Sequence, residues 1–128
     1  HRALDAANEK ALKNNKIGST LKGIGPTYTD KTARRGLRIG DIAADDFKAR
    51  YERLKNIHLA QIKNLDFDMN ELLLDKMPFD QYEEEWFKAI EFLKQFQFIE
   101  SEYFINKSLD EGKRVLAEGA QACSLQCL

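Results

Sequence analysis

The chain has 128 residues, with 20 Lys+Arg against 21 Asp+Glu and a formal net charge of −1. Its residues are 43% hydrophobic and 32% charged, enough apolar material for a core, which excludes a wholly disordered chain. No apolar run approaches the ~20 residues needed to cross a bilayer, so no membrane partner is expected. Cys123 and Cys127 are too few for a disulfide framework, suit a reducing, cytoplasmic compartment, and with no His nearby give no zinc site.

In chain order, residues 1–14 read as the end of a helix, with Leu4, Ala7, Ala11 and Leu12 near one face and Asn14-Asn15 as its stop. Residues 16–26 read as a loop, because three glycines and a proline leave no regular element intact. Thr29 is placed to cap a short helix running through Arg35, with Gly36 at a left-handed stop. Asp45 is placed to cap a long helix with Phe47, Tyr51, Leu54, Ile57 (or His58) and Ile62 on its apolar face. Residues 70–77 read as a short helix ended before Pro78. A further helix starts at Asp80, with Tyr82, Trp86, Ala89, Ile90, Leu93 and Phe96 on one side. Residues 101–111 form the last, ended by Gly112. Residues 114–118 are the one good strand, and a lone strand needs partners elsewhere for its backbone groups. The aromatics from Tyr82 to Phe104 read as core, and His58, with no partner at metal spacing, as structural. The chain opens in mid-helix and closes after a strand, so it is expected to be a piece of a larger protein.

The near-zero net charge conceals an asymmetry. Residues 16–38 carry Lys16, Lys22, Lys31, Arg34, Arg35 and Arg38 against Asp30 alone, and hold four of the seven glycines. Residues 39–112 carry 9 basic and 17 acidic side chains. Glycines beside positive charge let backbone N–H groups approach an anion. In Gly18-Ser19-Thr20-Leu21-Lys22-Gly23 the two glycines have phosphate-loop spacing, but Ile24-Gly25 stands where Lys-Ser/Thr must follow. The hydroxyls of Ser19 and Thr20, the Lys22 charge and bare backbone suit a phosphate monoester; a plain glycine-rich turn is the alternative. Arg34 and Arg38 face one anion if the helix persists, or else form a solvated basic face with Asp30 and Lys31 as capping charges. The patch is short and poor in aromatics, which argues against nucleic acid. Val115-Leu116-Ala117-Glu118-Gly119-Ala120-Gln121 reads as a buried strand presenting Gln121 at its exit, or as a plain strand-to-turn exit with an exposed Gln121.

These two stretches carry a resemblance. Gly18-Ser19-Thr20-Leu21-Lys22-Gly23-Ile24-Gly25-Pro26, followed by Tyr28, Asp30, Lys31, Arg34, Gly36, Leu37, Arg38, Gly40 and Asp41, resembles the central signature of the adenylosuccinate synthetases. Val115 to Gln121 is similar to that family's second internal landmark, and the order and helical insert match. The resemblance implies a GTP- and Mg²⁺-dependent ligase that joins IMP and L-aspartate into adenylosuccinate, on the way to AMP, as a homodimer. It implies that Thr20 contacts the IMP phosphate, that Arg34 reaches across the dimer interface to the IMP of the other subunit, and that Gln121 hydrogen-bonds IMP. Lys22 would face the same ligand site. The family's Gly-Asp-Glu-Gly-Lys-Gly-Lys loop is not among these residues, so no catalytic residue, metal ligand or bound GTP is expected of this stretch by itself. Ala122-Cys123-Ser124-Leu125-Gln126-Cys127 departs from the family's usual continuation.

The expected fold is mainly α, a helical subdomain with one or two short strands taken from a larger α/β P-loop-like ligase. Its organisation would be a leading helix and basic IMP-site loop over 1–44, a helical subdomain over 45–112, and a strand and tail over 113–128. The rival reading is a non-catalytic helical interaction module with a phosphate-binding basic loop.

Overall fold

A computed structural model describes residues 1–15 and 17–118. The described chain is mainly helical. It divides into two compact units, residues 1–96 and residues from 97 onward.

Helix α1 spans Arg2–Ala11 and passes into a short 3₁₀ turn over Lys13–Asn15. Ala3, Leu4 and Ala7 recur at helical spacing, and all three are buried. Helix α2 spans Ile24–Thr32, beginning inside the expected loop. Gly23, at φ +78°, turns the chain into it. Pro26 sits in the first turn, where its missing N–H removes no intrahelical bond. Thr29 does not cap: its hydroxyl donates to the Gly25 carbonyl at 3.1 Å, as Thr27 donates to Gly23 and Thr32 to Tyr28.

A 3₁₀ turn at Ile39–Ala43 leads to the longest helix, α3, over Phe47–Asn64. Asp46 rather than Asp45 precedes it, and caps it with no side-chain bond. Phe47, Leu54, His58 and Ile62 are buried along one stripe. The expected helix over 70–77 is instead a 3₁₀ turn, Met69–Glu71, followed by a two-residue hairpin turn. Leu74 and Met77 exchange backbone bonds of 2.8 and 3.0 Å around Asp75 and Lys76, both at positive φ. Arg2 locks that turn, with two guanidinium bonds to Asp75 at 2.7 and 2.9 Å and a third to the Tyr82 hydroxyl at 2.9 Å.

Helix α4 spans Phe79–Leu93, and α5 spans Ser101–Asp110, ended by Gly112 at φ +73°. The core joins Ala3, Leu4 and Ala7 to Ile62, Leu72 and Leu74, with Phe67, Phe79 and Tyr82 packed against it. A second cluster sits between α3 and α4, where Tyr51 stacks on Trp86 at 5.0 Å and meets Phe87 edge-on at 4.9 Å. Lys55 adds an ion pair across these helices, its Nζ 2.8 Å from Glu83 Oε2. The expectation that all the later aromatics are core is corrected: Phe92, Phe96, Tyr103 and Phe104 are exposed. Residues 114–118 pair with no strand among the described residues, and Gln121 lies outside them.

Candidate functional site

The glycine loop is not bare backbone. Glu9, on α1, accepts the Gly18 N–H at 2.6 Å. Asp5, one turn earlier, accepts the Ser19 hydroxyl at 2.9 Å and the Gly23 N–H at 2.9 Å. A Cβ on Gly23 would stand 2.9 Å from the Arg2 backbone nitrogen, so this glycine permits a close approach of loop to helix. Ser19 is therefore turned to α1, while Thr20 and Lys22 are exposed. Lys22 also borders a cavity of about 400 Å³ lined by Leu37, Tyr51, Phe79 and Trp86.

At the other end of α2, Arg34 occupies the position where helices usually place glycine. The Arg34 N–H donates to the Lys31 carbonyl at 3.2 Å, and the Arg35 N–H to the Asp30 carbonyl at 3.0 Å. That pair of bonds is the helix stop with a left-handed residue between them. Arg34 has φ +59°, and its side chain is exposed. Gly36, expected at this stop, is not in the left-handed region. The helix ends before Arg34, so Arg34 and Arg38 do not share a helical face; Arg38 instead precedes the 3₁₀ turn and donates its N–H to Asp41 at 2.7 Å. Thr20 and Arg34 flank opposite ends of α2, whose nine residues span about 14 Å.

Beneath this turn lies a cluster with no counterpart in local sequence spacing. Asp30 is 0% exposed. Its Oδ1 accepts Arg35 Nε at 2.6 Å, and its Oδ2 accepts His58 Nε2 at 2.7 Å and His1 Nε2 at 2.8 Å. Asp30 is thus a buried hub rather than a capping charge, and His58 has an acidic partner after all. The buried carboxylate is paired with the Arg35 guanidinium and hydrogen-bonded by both imidazoles, the arrangement a buried site tolerates. Burial holds the His58 imidazole below its ordinary pKa, in the neutral form. The sequence did contain one signal for this cluster. His58 sits between Leu54 and Ile62 on the buried stripe of α3, and a polar group there must find a partner.

His1, Asp30 and His58 offer ligand atoms within 4.8 Å of one another. As a Mg²⁺ site this set does not fit: Mg²⁺ takes oxygen ligands and retains water, whereas two of the three donors are nitrogens and the carboxylate is buried and already paired with Arg35. Among the described residues no other His/Cys/Asp/Glu group has metal-holding geometry.

Comparison with known proteins places this geometry in context. The family described as adenylosuccinate synthetase matches residues 1–127. The chain is 48% identical to an adenylosuccinate synthetase of Flavobacterium johnsoniae, across 98% of this chain and 28% of the relative. It is 46% identical to one from Porphyromonas gingivalis and 47% to one from Bacteroides fragilis, each across 98% of this chain. It spans little more than a quarter of the length of these curated relatives. No solved structure matches it. No helix among the described residues is long and apolar enough to cross a membrane.

Proposed function

The chain belongs to the adenylosuccinate synthetase family, and we propose that it supplies part of the IMP site of a GTP-dependent ligase joining IMP to L-aspartate. The observation that carries this reading is the match along residues 1–127, which runs through the glycine loop, the Arg34 turn and the stretch ending at Gln121.

In this reading Thr20 donates its hydroxyl to a phosphate oxygen of IMP, Lys22 adds charge at the loop, and Gln121 hydrogen-bonds the same nucleotide. Arg34 serves the IMP of the other subunit in a homodimer. A guanidinium presents paired N–H donors that match phosphate oxygens. The placement of Thr20 and Arg34 at the two ends of a helix about 14 Å long supports the division of labour: one chain's Thr20 and Arg34 address two phosphates more readily than one. GTP and Mg²⁺, held elsewhere in the whole enzyme, would supply the phosphoryl group and neutralise its charge; the family's Gly-Asp-Glu-Gly-Lys-Gly-Lys loop is not among residues 1–128.

The test uses the full protein with IMP, GTP, Mg²⁺ and aspartate. Adenylosuccinate formation is expected, and Arg34→Ala should raise the IMP dissociation constant about ten- to a hundredfold, the worth of a charge-assisted contact at about 1.5–3 kcal/mol. Residues 1–128 alone should form none, because the phosphoryl-transfer machinery lies outside them. No turnover by the full protein, or an unchanged IMP constant in Arg34→Ala, overturns the reading.

A further inference from the structure

We infer that Asp30 and His58 are positioning residues that hold the Arg34 turn in its phosphate-binding conformation, an inference that rests on Arg34 being a phosphate ligand. Arg34 is a non-glycine residue at φ +59° in a helix stop that glycine would occupy without strain. Such strain persists only where the surroundings over-determine it, and it concentrates where a side chain is needed in one place.

The surroundings here converge on one residue. The Asp30 backbone carbonyl accepts the N–H of Arg35 at 3.0 Å and of Gly36 at 3.1 Å, the two residues that follow Arg34. The Asp30 carboxylate holds the Arg35 side chain at 2.6 Å. Gly36 is packed so close that a Cβ there would lie 3.3 Å from the Asp30 carbonyl carbon. The chain that follows Arg34 is therefore pinned to Asp30, while the Arg34 side chain is left exposed.

Asp30 is itself pinned from a second element. His58 Nε2 donates to Oδ2 at 2.7 Å from the middle of α3, with Leu54 and Ile62 buried one turn on either side. His1 donates to the same oxygen from the start of α1. Two helices of the core thus fix the carboxylate that fixes the turn. The ordering of the backbone turn is completed on folding, so a phosphate meets an Arg34 whose direction of departure from the chain is already set, and binding loses less entropy. The consequence is selective: it concerns the phosphate of the ligand and not its base or ribose.

The experiment measures binding of IMP and of inosine, which lacks the phosphate, to the full protein by calorimetry. Four variants are compared: His58→Leu, His58→Gln, Arg34→Ala and the Arg34→Ala/His58→Leu double variant. The Gln side-chain amide restores an N–H near the position of Nε2. His58→Leu is expected to weaken IMP about five- to tenfold with inosine unchanged, His58→Gln to recover most of the loss, and His58→Leu to add nothing on the Arg34→Ala background. Equal losses for IMP and inosine, or an additive loss in the double variant, overturn the inference while leaving Arg34 as a ligand. An unchanged IMP constant in Arg34→Ala overturns the underlying reading, and the inference with it. If His58→Leu does not fold, Arg35→Gln, at a side chain 36% exposed, serves in its place with the same expectations.

Discussion

The Gly23 N–H donates to Asp5 Oδ2 at 2.9 Å, so a carboxylate on α1 closes the glycine loop across eighteen residues of sequence. The same side chain holds the Ser19 hydroxyl, and Glu9 holds the Gly18 N–H. The loop's order therefore comes from α1.

Asp5→Ala should loosen residues 18–23 selectively. Hydrogen bonds to a charged acceptor contribute about 1.5–3 kcal/mol each, and every ~1.4 kcal/mol is tenfold in an opening equilibrium. Amide exchange at Gly23 is expected to rise at least about tenfold, while exchange in the middle of α3 stays as it was. Unchanged protection at Gly23, measured by mass spectrometry or NMR on the full protein, would show that the loop is held by something else.

Arg34→Gly should stabilise the fold and damage binding together. Glycine removes the Cβ that makes φ +59° costly, a gain of about 1 kcal/mol less the extra freedom of the unfolded chain. It also removes the guanidinium. A melting temperature equal to or above the wild type, with IMP affinity lowered as in Arg34→Ala, is the expected pair of results. Lys48→Ala, at an exposed position on α3, should move both by less than ~0.5 kcal/mol. A lower melting temperature for Arg34→Gly would mean that Arg34 is held in place by contacts that outweigh its backbone strain.

The helices were legible where apolar residues recur with helical spacing. α1, α3, α4 and α5 stand close to where that spacing puts them. What sequence could not supply was set by contacts between distant residues. Nothing local indicates that Asp75-Lys76 makes a hairpin turn, because Arg2 stabilises it from the start of the chain. The rule that glycine ends a helix pointed to Gly36, and the chain broke that rule at Arg34. Asp30 and His58 are 28 residues apart, so no motif of fixed spacing could unite them. A short helix after the Gly-rich loop is legible from Thr29 onward, but α2 begins five residues earlier, at Ile24, and ends before Arg34, so it separates the loop from that arginine instead of carrying it.

Stability should fall as the pH drops below about 6.5, and His58 should account for part of the fall. Burial lowers its pKa in the folded state, so between that lowered value and about 6.5 the unfolded chain binds the extra proton. Burial is the largest influence; the His1 ammonium and, less, the Arg35 guanidinium add to the shift, and the Asp30 carboxylate opposes it. The contribution is whole above about pH 6.5 and is lost on acidification through the window. His58→Gln cannot titrate, so its melting temperature should decline less between pH 7 and 5 than that of the wild type. Parallel curves for the two proteins would remove His58 from the acid response.

Two variants within this chain separate a shared site from an exchanged one. If Thr20 serves the IMP of its own subunit and Arg34 that of the other, Thr20→Val and Arg34→Ala each disable every site in a homodimer. Mixing the two after subunit exchange gives hybrids in which one site has the intact Thr20 of one chain and the intact Arg34 of the other, while the second site lacks both. With random pairing half the dimers are hybrids and half of their sites are whole, so about a quarter of wild-type activity should return. If both residues served the same chain's site, no pairing would unite an intact Thr20 with an intact Arg34, and mixing would restore nothing. The geometry favours recovery, because a helix about 14 Å long stands between the two side chains in one subunit. Activity that stays at the level of the separate variants, with hybrid formation verified by native mass spectrometry, would confine Arg34 to its own subunit's site.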